Sequence, residues 1–322
     1  MTAPQKTVLI TGGNTGLGYH AATELAAAGW QVVIASRNKE RTAAAANQIQ
    51  QSTGNQHVLP MQLDLASLDS VRTFAGEFVA RELAPLQAII CNAGITLTEM
   101  QSTADGVDKT FQVNHLGHFL LVNLLLEHLQ QPGRVVMVSS GTHIPSHKLA
   151  RATGVTVPKY VNASALAHPE QASPQAKITN PAQAYSTSKL CNLLFAYELS
   201  RRLHEQNVDI NTYALDPGLM PDTSFAREFP APVRSMFQSV FIGLEPLIAG
   251  VRRGGESGKH LARLVTDPVL DDVTAAYFDG LEQVRSSADS YDEAKARDLW
   301  ATSAELAQLQ PHESILMKVA AV

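Results

Sequence analysis

Cysteine is scarce in this chain: 2 residues, Cys91 and Cys191, among 322. That excludes a disulfide framework as the source of its stability. An excess of one charge is missing as well. Lys plus Arg number 25 and Asp plus Glu 30, for a net charge of −5, with no long basic run. Nucleic acid is therefore excluded as an expected partner. No apolar run approaches the roughly 20 residues that span a bilayer. Met1 to Lys6 is short and polar, unlike a signal peptide. Together these absences describe a soluble, intracellular, cytoplasmic protein. What the chain does have is 45% apolar residues, enough for a sizeable core. Its length allows one large α/β domain or two small ones. It shows no internal repeat and no low-complexity linker.

The chain is organised around Thr7-Val8-Leu9-Ile10-Thr11-Gly12-Gly13-Asn14-Thr15-Gly16-Leu17-Gly18. Val8 to Ile10 is a short apolar run of the kind that forms a buried parallel strand. A glycine-rich turn follows, and then the Ala- and Leu-rich helical stretch Tyr19 to Gly29. Glycines let the backbone turn sharply and approach a pyrophosphate with no Cβ in the way. The helix N-terminus offers free N–H groups and a positive dipole end to that anion. The spacing is T-G-x-x-x-G-x-G, carried by Thr11, Gly12, Gly16 and Gly18, and differs from the commoner G-x-G-x-x-G fingerprint. Asn14, Thr15 and Leu17 complete the turn.

A second strand, Trp30 to Ala35, ends in Ser36-Arg37-Asn38. An acidic residue at that place would hold the adenosine ribose diol of NAD. None is there. Arg37 instead pairs with a 2′-phosphate and stacks on adenine, favouring NADP(H), or else is a solvated residue at a helix start. Lys39 to Gln51 is an alanine-rich helix. Val58 to Leu63 is a third strand, with Pro60 pointing to an irregular start. Asp64-Leu65 follows. The Asp64 carboxylate either accepts from the adenine amino group or caps the helix that begins near Ser67. Leu86 to Cys91 is a fourth strand that runs into Asn92-Ala93-Gly94, where small residues let the backbone lie against a flat cofactor. Asn92 is placed to tie neighbouring strand ends together.

Phe111 opens a long helix of apolar periodicity. Asn114 is out of character there. A buried amide must be satisfied or it costs a few kcal/mol, and a mid-helix amide that breaks the ladder can hold a water as a proton-relay station. His115 and His118 lie three apart, but no third ligand at a matching spacing supports a metal. Arg134 to Gly141 is a fifth strand ending in Ser139-Ser140. Strands alternating with helices give a parallel sheet with right-handed crossovers.

The set Thr11-Gly12-x-x-x-Gly16-x-Gly18, Asp64, Asn92-Ala93-Gly94, Asn114, Ser139-Ser140 and Tyr185-Ser186-Thr187-Ser188-Lys189 resembles the short-chain dehydrogenase/reductase family, in family order from residue 7 to about 224. The resemblance implies one doubly wound α/β Rossmann domain over residues 1–322, with a seven-stranded parallel sheet and a nicotinamide cofactor. It also implies that Ser140, Tyr185 and Lys189 are catalytic, with Asn114 as a fourth member. Asn114 to Leu121 and the stretch Asp292 to Trp300 resemble the retinol dehydrogenase-like branch and also the light-dependent protochlorophyllide reductases. Cys191 is similar to a cysteine of the pigment enzymes. Gly13-Asn14-Thr15 and Asn92-Ala93-Gly94 look more like the retinol-type branch.

Tyr185 and Lys189 are i, i+4 and share one helical face. Hydride transfer to a carbonyl leaves an alkoxide that needs a proton, and a phenol near pKa ~10 gives one readily. A lysine ammonium one turn away favours the phenolate and lowers that pKa. Ser140 would hydrogen-bond the substrate oxygen. Between Ser140 and Tyr185, residues 143–181 form an excursion with its own turns, either over the site or merely on the surface. A sixth strand, Ile210 to Leu215, leads to Asp216-Pro217-Gly218. The resemblance places Pro217 and Gly218 against the nicotinamide and Thr223 by the pyrophosphate or carboxamide. Family members usually have another residue where Asp216 stands, and Asp216 is suited to capping the turn.

Residues 219–255 hold the most apolar region, Phe225 to Ile248. The resemblance makes it the substrate lid, implying a hydrophobic substrate. A dimer face or a peripheral membrane contact is the rival use. A seventh strand at Ala275 to Gly280 and a last helix at Tyr291 to Leu309 complete the domain. The expected activity is NADP(H)-dependent interconversion of a carbonyl and an alcohol. Its rivals are light-driven C=C reduction and a cofactor-binding regulator without catalysis. Helical geometry separates the first two. Cys191 follows Tyr185 by six residues, about 240° beyond a full turn, which makes it a packing residue rather than a substrate contact.

Overall fold

A computed structural model describes residues 6–148, 151, 155–220 and 250–317. Its sheet has eight strands: β1 (Thr7–Thr11), β2 (Gln31–Ser36), β3 (Val58–Gln62), β4 (Leu86–Cys91), β5 (Leu129–Val138), β6 (Ile210–Asp216), β7 (Ala276–Asp279) and β8 (Glu282–Val284). Their order is β3-β2-β1-β4-β5-β6-β7-β8. The first seven in that order pair in parallel, and β8 folds back antiparallel on β7. The expected seven-stranded parallel sheet is thus corrected to eight strands. β8 has only exposed side chains, so no apolar alternation marks it in the sequence.

The buried strands alternate as a pleat dictates. On β1, Leu9 joins one core and Val8 and Ile10 join the other. The second core lies under α1 (Gly16–Ala27), α2 (Lys39–Thr53) and the helix Gly254–Thr266. The first lies under α3 (Leu68–Val79), the helix Gly117–Leu125 and the long helix Pro181–Glu205. Against that last helix packs Glu293–Leu306, whose Trp300 stacks on Phe195 with ring centroids 5.8 Å apart. Pro60 sits inside β3 rather than at an irregular start. β3 is an edge strand, where a residue without an N–H is tolerated.

The helix read from Phe111 is interrupted. Lys109–Phe111 is α-helical, Gln112–Leu116 is a π-turn, and Gly117–Leu125 resumes the α-helix. The irregularity expected at Asn114 is therefore real. The lid region at Phe225 to Ile248 and Thr223 lie outside the described residues.

Candidate active site

The chain reverses its winding direction between β1 and β4, which are neighbours at the middle of the sheet. Ligands bind at such a switch point, beyond the carboxyl ends of the strands. A cavity of about 550 Å³ opens there. It is lined by Gly12, Asn14, Thr15, Gly16 and Leu17 from the glycine turn, and by Arg37 after β2. Asp64 and Leu65 after β3, and Asn92, Ala93 and Gly94 after β4, also line it. Ser140, Tyr185, Lys189, Pro217 and Gly218 complete the wall. Gly18 and Asn114 are not on that wall and act from behind it.

Gly12 and Gly16 have φ of +66° and +56°, a backbone region that side chains resist. Gly18 has a different reason to be glycine. A Cβ there would stand 2.5 Å from Asn92 Nδ2 and 2.6 Å from the Gly12 carbonyl. Asn92 Nδ2 donates to the Thr11 carbonyl at 2.7 Å, so the amide does tie the ends of β1 and β4 together. The Thr11 hydroxyl oxygen accepts the N–H groups of Asn92 and Ala93, each at 3.0 Å. Its proton goes to His118 Nε2, 2.8 Å away. That assigns the His118 proton to Nδ1, which faces the Asn114 carbonyl at 3.3 Å. One imidazole thus joins the glycine turn to the π-turn.

Asn114 is a strut in this structure. Its Oδ1 accepts from Ile95 N at 2.7 Å, and its Nδ2 donates to the Ile95 carbonyl and to Ser188 Oγ at 3.0 and 2.9 Å. The amide locks the segment after β4 to the long helix, which leaves it fully partnered. His115 has an unrelated partner, Ser303 Oγ at 2.9 Å. Among the described residues no cluster suits a metal ion.

Asp64 Oδ1 accepts from Ala66 N at 2.9 Å in a local turn, while Ser67 caps α3 by accepting from Ser70 N. The helix-cap reading of Asp64 is corrected: Ser67 takes that role, and Asp64 faces the cavity. Among the described residues no carboxylate pairs with Arg37 after the end of β2, and the next residue, Asn38, caps α2 by accepting from Arg41 N at 2.7 Å. Arg41, in the first turn of α2, also lines the cavity, which no sequence pattern had marked.

On the opposite wall, Ser139 and Ser140 sit just past the end of β5. They differ in role. Both line the cavity, but Ser139 is buried and its Oγ donates to the Lys189 carbonyl at 2.9 Å, whereas Ser140 is the more exposed of the two. Lys189 Nζ lies 5.6 Å from the centre of the Tyr185 ring and donates to the Val138 carbonyl at 3.0 Å. The i, i+4 face read from sequence is present. Its electrostatic consequence is not. Burial and then the Asp216 carboxylate push the Tyr185 phenol up to about 12, against a hydrogen bond with Ser140 that lowers it. Burial also brings Lys189 down to about 8, with Asp216 opposing. The expected lowering of the phenol is therefore corrected: burial and the Asp216 carboxylate raise it.

The excursion after Ser140 brings Thr142, His147 and Val155 to the cavity, which no spacing had marked. Cys191 is fully buried in the first core and absent from the wall, and burial raises its thiol above the ordinary range. It packs, as the helical geometry requires, and gives no support to a substrate role.

The model of the short chain dehydrogenase family matches residues 6–148. Human retinol dehydrogenase 13 is 38% identical over 312 residues, covering 96% of this chain and 86% of that protein. The chain belongs to the short-chain dehydrogenase/reductase family, in its retinol dehydrogenase-like branch. Among solved structures, this short-chain dehydrogenase/reductase matches an uncharacterized Mycobacterium paratuberculosis protein with a TM-score of 0.68. Identity there is 30%, over 95% of this chain and 94% of that one. It also matches Pseudomonas aeruginosa RhlG in complex with NADP. The TM-score is 0.62 at 20% identity, over 86% of this chain and 94% of that one, a likeness of fold alone.

Proposed function

We propose that this oxidoreductase interconverts a carbonyl and an alcohol on a hydrophobic small molecule, using NADP(H), with Tyr185 as the acid/base. The observation that carries the proposal is the meeting of Ser140, Tyr185 and Lys189 with the glycine turn in one cavity at the switch point. The residues fit a dinucleotide. The turn is a cradle that a Cβ at Gly12 would fill, 3.0 Å from both the Ala93 backbone and Asn92 Nδ2. Arg37, with Arg41 in the first turn of α2, would hold a 2′-phosphate, and among the described residues no carboxylate pairs with Arg37. Asn92, Ala93, Gly94, Pro217 and Gly218 would hold the remainder. Thr223 is proposed to join them from outside the described residues. When bound, NADPH supplies the hydride.

The chain's own groups handle the proton. Ser140, on the same wall as Tyr185, is placed to donate its one hydroxyl proton to the substrate oxygen. A phenol near 12 is fully protonated at neutral pH, so it gives its proton to a developing alkoxide rather than taking one. Alcohol oxidation accordingly needs a higher pH than carbonyl reduction. Lys189 keeps the phenol oriented through the cation–ring contact. Apolar wall residues Ile95, Val113, Val155, Leu219 and Met220 favour an apolar substrate. The test is a screen of NADPH oxidation over hydrophobic aldehydes and ketones. Turnover that disappears in Tyr185→Phe supports the proposal. Absence of turnover across the screen, by protein that binds NADPH, contradicts it.

A further inference from the structure

Asp216 is the residue at which the sequence departs from its family's usual pattern, and its surroundings give it a task. It is 6% exposed at the carboxyl end of β6. Both its oxygens accept backbone N–H groups: Oδ2 from Gly141 at 2.7 Å and Oδ1 from Gly218 at 3.0 Å. Gly141 opens the 3₁₀ turn Gly141–His143, so its N–H has no partner within that turn. Gly218 has φ +78° in the Pro217-Gly218 bend. The carboxylate therefore bridges two chain segments that nothing local would hold together. One carries Ser140. The other forms the floor expected to meet the nicotinamide.

The fit around this bridge is tight. A Cβ on Gly141 would meet Asp216 Oδ2 at 2.7 Å and His147 Nε2 at 2.6 Å. The β6 backbone is fixed in turn, since Gly280 N donates to the Asp216 carbonyl at 3.2 Å and Ser257 Oγ to the Pro217 carbonyl at 2.7 Å. Asp216 thus stands on the end of a sheet strand and reaches to the 3₁₀ turn that follows β5.

We propose that Asp216 is a positioning residue for the reaction: its carboxylate ties the Ser140-Gly141 bend to the Pro217-Gly218 bend and so sets the Ser140 hydroxyl against Tyr185. The inference rests on the carbonyl–alcohol reading above. Besides Tyr185 and Lys189, the groups that face the carboxylate are His147, Asp279 and Tyr277.

Asp216→Asn keeps the shape and one acceptor but loses the second. An amide oxygen turned to Gly218 leaves its NH₂ facing the Gly141 N–H. With a carbonyl compound from the screen, kcat should fall about tenfold or more. KM and the NADPH dissociation constant, read by cofactor fluorescence, should stay within about threefold. A purely structural loss would move all of them with the melting temperature. Acting through Ser140 predicts non-additivity. In a Ser140→Ala background, adding Asp216→Asn should change kcat by less than about threefold. Should Asp216→Asn fail to fold, Gly141→Ala pries the same contact apart from the other side and should give the same split between kcat and cofactor binding. Wild-type kcat in Asp216→Asn, or losses that add to those of Ser140→Ala, overturn the inference while leaving the function intact if Tyr185→Phe is inactive. Full activity in Tyr185→Phe overturns both.

Discussion

The two walls of the cavity are made differently. The glycine-turn wall is set by backbone: Gly12 and Gly16 with positive φ, N–H groups gathered on Thr11 and, from behind, Gly18 close to Asn92. The wall opposite is side chain. Tyr185, Lys189 and Asp216 crowd together there, and each is moved away from its ordinary protonation behaviour. A backbone wall is specified by where glycine must stand, so its failure is steric and abrupt. A side-chain wall is specified by mutual distances and charge, so its failure is graded and depends on pH.

That contrast can be broken or sharpened by substitution. The largest effect belongs to Gly18→Val, where the added atoms would enter the space of Asn92 Nδ2 and the Gly12 carbonyl, 2.5 and 2.6 Å from the first of them. NADPH affinity should fall about 100-fold or more, near 3 kcal/mol, as read by fluorescence titration. An affinity within a few fold of wild type would show that the wall is not steric.

Arg37→Ala comes next. NADPH should bind the wild type about tenfold tighter than NADH, near 1.4 kcal/mol, and the variant should lose most of that preference. Equal dissociation constants for both cofactors in the wild type would remove the role given to Arg37.

Behind both walls, His115, His118 and His143 are held neutral by burial, brought down to about 3, 4 and 4. Unfolded histidine titrates near 6.5. A depressed folded value contributes stability that is complete above the unfolded value and lost as pH falls toward the folded one. Melting temperature should therefore decline as pH falls from about 6.5 toward 4. His118→Asn should flatten that decline. A melting temperature constant over this range would contradict the neutral assignment.

The smallest effect is Cys191→Ala. The thiol is fully buried in the first core and is not among the residues that line the cavity, so the loss should be about 1 kcal/mol of stability, with carbonyl reduction unchanged. A selective loss of turnover in a normally folded variant would return Cys191 to the site.

The same contrast explains what could be read in advance. β4 at Leu86–Cys91 is where its apolar run placed it, and T-G-x-x-x-G-x-G falls at one wall of the cavity, because glycine positions and strand periodicity are local facts. Tyr185 and Lys189 were visible through helical spacing. Asp216 was visible only as an oddity, because its partners Gly141 and Gly218 come from different strand ends. The proton affinity of Tyr185 was misjudged for the same reason. A lysine one turn away is legible in sequence, but the burial and the carboxylate that outweigh it are products of the fold. Asn114 was recognised as misplaced, yet its bonds to Ile95 and Ser188 could be known only once three segments met.

The most direct measurement is Tyr185→Phe, which removes one hydroxyl and keeps the ring. NADPH binding should remain within about twofold of wild type, while kcat for carbonyl reduction drops by about 100-fold or more, the size expected of a lost general acid. Near-normal turnover by this variant would contradict Tyr185 as the proton donor.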